Sequence, residues 1–157
     1  YMILRSKSLA ETEALAARVA LELRVGRQAT VLALSGELGA GKTAFVKGLA
    51  KALGVRSVAT SPTFVLLKKY HLAPGKSAQT GFHQLVHGDF YRLKDPTDLA
   101  ALKWAELLLE PKNLIVIEWP EQVGGLGKKA KSISFRHLSE DEREIKIPWL
   151  KANIRKS

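Results

Sequence analysis

Apolar positions alternate between two spacings along this chain, one helical and one strand-like. Leu15, Val19, Ala20 and Leu23 recur at helical spacing behind Ser8-Leu9-Ala10-Glu11. That tetrapeptide has the capping-box form, Ser as N-cap and Glu three residues on, so a first helix is expected to run to about Arg24, with Gly26 as its stop. Ala29 to Ser35 then reads as a short buried strand, and Phe45 to Leu53 as a second helix that Gly54 ends. Phe64 to Tyr70 is strand-like. Leu72 to Phe82 holds turn-forming residues without a usable period and is expected to be an exposed loop. Gln84 to Arg92 reads as a strand ending on polar residues. A helix is expected to follow from Asp95-Pro96-Thr97-Asp98 through Leu99, Leu102, Leu107 and Leu108, with acids near its positive end. Asn113 to Glu118 carries four apolar residues in series, the mark of a strand buried on both faces. Ser132 to Leu138 and Glu144 to Ile147, separated by Ser139 to Arg143, predict a closing β-hairpin.

Chemistry concentrates between the first strand-like run and the helix after it. Gly36-Glu37-Leu38-Gly39-Ala40-Gly41-Lys42-Thr43 fills every fixed position of the pattern G-x-x-x-x-G-K-[ST]. In such a strand-turn-helix, glycines let the backbone of Gly36, Leu38, Gly39, Ala40 and Gly41 curl so that amides point at phosphates, and the helix dipole adds its positive end. Lys42 is expected to reach the β and γ phosphates and the Thr43 hydroxyl to sit on Mg²⁺. A tight corner without a ligand would not need all four constraints together. The expected architecture is therefore α/β, a P-loop NTPase-type three-layer sandwich with a mostly parallel sheet and antiparallel C-terminal strands.

Two carboxylates fall at expected strand ends, where α/β sheets bind ligands. Glu118 closes the apolar series in the Walker-B manner and is placed to complete a Mg²⁺ shell opposite Thr43. Asp89 closes the preceding strand, a candidate to hold Mg²⁺ through water or to orient the attacking water; His87, Tyr91 and Arg92 read as packing or ion-pair partners of that rim. Thr60-Ser61-Pro62-Thr63-Phe64 is either a plain strand start or, through its hydroxyls, a nucleotide-sensing switch. Trp119 is a core anchor or an exposed contact, two readings that the sequence leaves open.

A length of 157 residues suits one domain, expected over 1–157 with a frayed basic tail at 151–157. No apolar run approaches a membrane span, the first residues lack the apolar core of a signal peptide, and cysteine is absent; a cytoplasmic protein without membrane contact is expected. The formal net charge of +10 points either to a solvated lysine-rich surface or to contact with a polyanion.

Four ordered blocks carry a resemblance: Gly36 to Thr43, then Ser61-Pro62-Thr63-Phe64, then His87-Gly88-Asp89-Phe90-Tyr91-Arg92-Leu93, then Ile117-Glu118-Trp119-Pro120-Glu121. With these the chain resembles the TsaE family, also called YjeE, of small bacterial P-loop ATPases. The resemblance implies ATP and Mg²⁺ as cofactors, and a role with TsaB-like and TsaD-like partners in making N6-threonylcarbamoyladenosine in tRNAs that read codons beginning with A. It also implies that ATP turnover resets the partner complex, and that tRNA is met indirectly or through the basic surface. By the same resemblance Lys42 is the phosphate lysine and Thr43 and Glu118 the Mg²⁺ ligands, Asp89 serves hydrolysis, Ser61 to Thr63 form the switch, and Trp119 is needed for activity. The first helix, near Ser8 and Thr12, would approach the adenine. The chain departs from the family pattern in its longer loop at Leu72 to Phe82, in Gly124-Gly125-Leu126-Gly127-Lys128-Lys129, and in its basic balance. Two rivals stand beside this reading. A small-molecule kinase needs a lid, usually rich in arginine, and Leu72 to Phe82 has none; an RNA-binding module gated by nucleotide would use the basic surface without turnover. A GTPase is disfavoured by the lack of an Asn-Lys-x-Asp element.

Overall fold

The computed structural model describes residues 2–55, 67–95, 97–123, 126 and 129–151. Seven strands form one sheet in the order β1-β7-β6-β2-β5-β4-β3. They are β1 (Met2–Ser6), β2 (Thr30–Ser35), β3 (Leu67–His71), β4 (Gln84–Asp89), β5 (Asn113–Glu118), β6 (Lys131–His137) and β7 (Arg143–Ile147). The helices are α1 (Leu9–Glu22), α2 (Lys42–Ala52), α3 (Pro74–Thr80), α4 (Asp98–Ala101) and α5 (Trp104–Leu109), with a 3-10 turn at Pro120–Gln122.

The central strands alternate between two hydrophobic clusters, as the two-residue period of a strand requires. Leu32, Leu34, Leu85, Leu114 and Val116 join Leu15, Val19, Phe45 and Leu49 of α1 and α2. Val31, Val86, Ile115 and Ile117 join Leu99 and Leu107 of α4 and α5. Every residue of β5 is buried, as its unbroken apolar series led one to expect.

Local signals place the first two helices well. Ser8 Oγ accepts from the Glu11 amide at 3.1 Å, while the Glu11 carboxylate reaches back to the Lys7 amide at 2.6 Å, one residue before the usual capping-box donor. α2 ends in a Schellman turn: Gly54 has φ 76, its amide donates to Lys51, and the Val55 amide donates to Ala50.

Three expectations need correction. Antiparallel pairing is not confined to the C-terminal strands: β3 pairs antiparallel with β4 and β1 with β7, so the parallel part is the run β6-β2-β5-β4. The link from β3 to β4 is short and occupied by α3, so it returns the chain beside itself instead of crossing over the sheet. Leu72 to Phe82 is not an open loop; Pro74–Thr80 is helical, and Leu72 and Phe82 are buried anchors at 6% and 1% exposure. The single helix expected after Asp95 is two. Lys103 takes φ 54, which turns Trp104 edge-on to Phe90 at 5.7 Å, a contact that one straight helix through Leu99 and Leu107 would aim elsewhere. β1 went unforeseen because five residues at a sheet edge show no clear alternation: Met2 and Ser6 are its buried positions.

The hairpin of β6 and β7 forms as expected, and β6 pairs in parallel with β2. Among the described residues no helix is long and apolar enough to cross a membrane.

Candidate functional site

The carboxyl ends of β2, β4 and β5 lie side by side, and the loop Gly36 to Gly41 leaves the first of them. Parallel pairing puts Asp89 opposite Glu118 and Leu34 opposite Glu118 on the other flank. Above them is a cleft of about 220 Å³, lined by the loop from Leu38 to Gly41, by Lys42 and Thr43 at the start of α2, and by Asp89, Tyr91, Glu118 and Trp119. Gly36 contributes its carbonyl, not its surface. The loop residues, Lys42, Thr43, Asp89, Glu118 and Trp119 are thus brought together, whereas Ser61 and Thr63 lie outside the described residues.

The loop is shaped by its glycines. Gly41 caps α2 at φ 103, and a side chain there would run into Arg143 of β7, whose Cδ lies 2.9 Å from the place a Cβ would take. Arg143 therefore lies against the loop, with its Nε buried and unpartnered. No local signal points to Arg143, because only the sheet order brings β7 to the loop.

Glu118 is buried at 3% exposure, yet each carboxylate oxygen has a partner. Thr43 Oγ1 donates to Oε1 at 3.1 Å, and His87 Nε2 lies 2.7 Å from Oε2. His87 projects from β4 on the same side as Asp89, two residues on. That spacing was readable from the sequence, but the contact depends on the pairing of β4 with β5. The Asp89 carboxylate accepts from the Tyr91 amide at 3.2 Å and so stays at the cleft wall.

Lys42 is 5% exposed. Its ammonium donates to the carbonyls of Gly36 and Glu37 and lies 3.7 Å from the centre of the Trp119 ring. Trp119 itself has φ 59, a left-handed conformation that costs a non-glycine residue about 1–2 kcal/mol, and its ring meets Tyr91 at 4.9 Å. Trp119 is thus a wall of the cleft, not a core anchor. Burial holds the Lys42 pKa below its ordinary value, opposed in part by the charges of Glu118, Glu121, Asp89 and Glu37. A lowered lysine pKa means that the charged form is disfavoured by folding. Stability then rises with pH between the folded and the unfolded pKa, and at neutral pH the buried charge is a net cost. Lys42→Met is accordingly expected to melt no lower than the parent at pH 7; a clear fall in Tm would mean that the contacts with carbonyls and Trp119 outweigh desolvation.

Thr12 is fully buried and its hydroxyl meets Ser6 Oγ at 2.7 Å, whereas Ser8 is exposed and its Oγ caps α1 by accepting from the Glu11 amide.

Fold and site together define a mixed α/β protein on one seven-stranded sheet, with a glycine-rich, lysine-ending loop and a buried carboxylate at the carboxyl ends of its parallel strands. The family model of the threonylcarbamoyl adenosine biosynthesis protein TsaE matches residues 6–145. A tRNA threonylcarbamoyladenosine biosynthesis protein TsaE from Treponema pallidum (strain Nichols) is 39% identical over 125 residues, covering 79% of this chain and 85% of that one. The protein of the same description from Bacillus subtilis (strain 168) is 33% identical over 136 residues, covering 86% and 77%. A crystal structure of YdiB from Bacillus subtilis superposes with a TM-score of 0.65 at 28% identity, over 92% of this chain and 82% of that one. The chain belongs to the TsaE family, whose role is tRNA threonylcarbamoyladenosine biosynthesis.

Proposed function

We propose that this chain is a Mg²⁺-dependent ATPase of the P-loop type, whose hydrolysis resets or activates a TsaB/TsaD-type partner complex in the cytoplasm during tRNA modification. The observation that carries the reading is the pair Thr43 and Glu118, with oxygens 3.1 Å apart at the foot of the Gly36 to Thr43 loop. Adjacent oxygens around an octahedral Mg²⁺, each at 2.0–2.1 Å, are separated by about 2.9 Å, so the two side chains fit one metal. Among the described residues no cluster of three acidic, histidine or cysteine ligands exists, so water and phosphate oxygens would complete the shell.

A metal held by Thr43 and Glu118 would supply positive charge against the charge that builds on the γ phosphate. Lys42, once released from the Gly36 and Glu37 carbonyls, adds a second cation, and burial makes its field stronger than it would be in water. The loop amides bind and orient the phosphates. His87 holds Glu118 by one oxygen and leaves the other to Thr43 and the metal. Asp89, at the cleft wall, is placed to orient an attacking water. Arg143 packs against the loop at Gly41 and adds a further cation beside it. The cleft of about 220 Å³ suits the phosphate end of a nucleotide and leaves the base outside it. Ser61 and Thr63 retain the switch role that the resemblance implies.

Phosphate release from ATP and from GTP, measured with Mg²⁺ on the chain alone and with TsaB-like and TsaD-like partners, tests the reading. ATP turnover is expected to be slow alone and to rise by a factor of roughly 10³ when partners complete the site. Phosphate transfer to a metabolite would identify a kinase, and binding without turnover would remove the ATPase.

A further inference from the structure

A second cleft opens at the opposite end of the sheet, at the amino ends of β2 and β6. Its volume is about 690 Å³. Arg24, Arg27, Lys129 and Lys131 line it, none of the described lining residues is acidic, and its floor includes the apolar side chains of Val31 and Leu108. None of the four cations makes an ion pair among the described residues. Arg24 is anchored by Nη1 to the carbonyls of Leu21 and Leu23, and Lys131 Nζ lies 4.9 Å from the Trp149 ring centre, so two of the four are held in place. The six residues of β2 separate this cleft from the phosphate loop, a distance of roughly 17–20 Å.

Four cations around a concave surface concentrate a positive field that the chain's net charge of +10 already favours. We propose that this cleft binds the sugar-phosphate backbone of RNA, with phosphates at the Arg24, Arg27, Lys129 and Lys131 rim and a ribose or base edge on the Val31 and Leu108 floor. An acidic peptide would match the rim but has no comparable use for a broad apolar floor. The family's place in tRNA modification makes an RNA the available polyanion. The site lies on the far end of the sheet from the loop, so RNA and nucleotide occupy it and the loop without competing. The proposal does not depend on ATP hydrolysis.

The test is fluorescence anisotropy of a labelled, unmodified tRNA across a salt series. The parent is compared with Arg27→Gln/Lys129→Gln and with Lys47→Gln/Lys69→Gln, which removes the same charge from exposed positions elsewhere. Losing two single-strand phosphate contacts lowers the slope of log K against log salt by about 1.4. That change is expected in the cleft variant and not in the control. ATP turnover is expected to be equal in all three, so a failed ATPase reading appears as absent turnover in the parent and leaves the RNA result intact. Equal flattening in both variants would show a diffuse field and overturn the cleft. So would unchanged RNA binding in the cleft variant, an absence of RNA binding in the parent, or a cleft variant that loses only partner proteins.

Discussion

Glu118→Gln is expected to lower ATP hydrolysis by about 10³-fold, equivalent to about 4 kcal/mol of transition-state stabilisation, while the chain remains folded. The change removes one negative charge from a buried position with two partners and leaves the shape unaltered. A glutamine oxygen still accepts from Thr43 and its amide still faces His87, so the side chain keeps its packing while losing the charge that would hold a metal. Thermal unfolding should therefore move little, whereas the Mg²⁺ concentration needed for tight nucleotide binding should rise steeply. Glu118→Ala is the less clean variant, because it strands the buried His87 ring as well. A turnover rate equal to the parent's would take Glu118 out of the chemistry.

Gly36→Ala is expected to destabilise the chain by about 3 kcal/mol, lowering Tm by roughly 6–12 °C for a chain of this size, and to abolish nucleotide binding. Gly36 has φ 143, and a Cβ there would overlap the backbone oxygen of Phe135. That oxygen belongs to β6, whose register with β2 pairs Ser35 with Ser134 immediately beside the contact. Neither strand can retreat without losing ladder hydrogen bonds. The loop would have to move instead, and with it the carbonyl that receives Lys42. Gly39→Ala separates the two causes: its φ is 77 but a Cβ meets nothing within 4 Å, so backbone strain alone, about 1 kcal/mol, is expected. Thermal melts and nucleotide titrations of both variants check this, and equal losses would show that the Phe135 contact is unimportant.

Much of this architecture was legible from short-range patterns. The Ser8 cap, the Gly54 stop, the buried series ending in Glu118 and the hairpin after Lys131 each rest on a few neighbouring residues, and each formed as read. Legibility failed where a distant contact overruled a local tendency. Pro74-Gly75-Lys76-Ser77 looked like turn material, but Leu72 and Phe82 bury on either side of it and fold the span into a helix. Lys103 accepts a left-handed conformation because it allows Trp104 to pack on Phe90.

By itself, the sequence determined the family and supplied the groups from which a phosphate-binding site is proposed. A loop of fixed glycines ending in Lys42 and Thr43, with carboxylates closing two strands, is a local pattern, and the physics of phosphate binding is contained in it. Tertiary structure alone decided which groups surround that loop. Strand order brings Arg143 from near the chain's end against Gly41, the register of β4 with β5 gives Glu118 its His87 partner, and the parallel start of β2 and β6 gathers Arg27 and Lys129 into one cleft. Those placements follow from burying both faces of one sheet at once, a condition on the whole chain that no short stretch of residues can express.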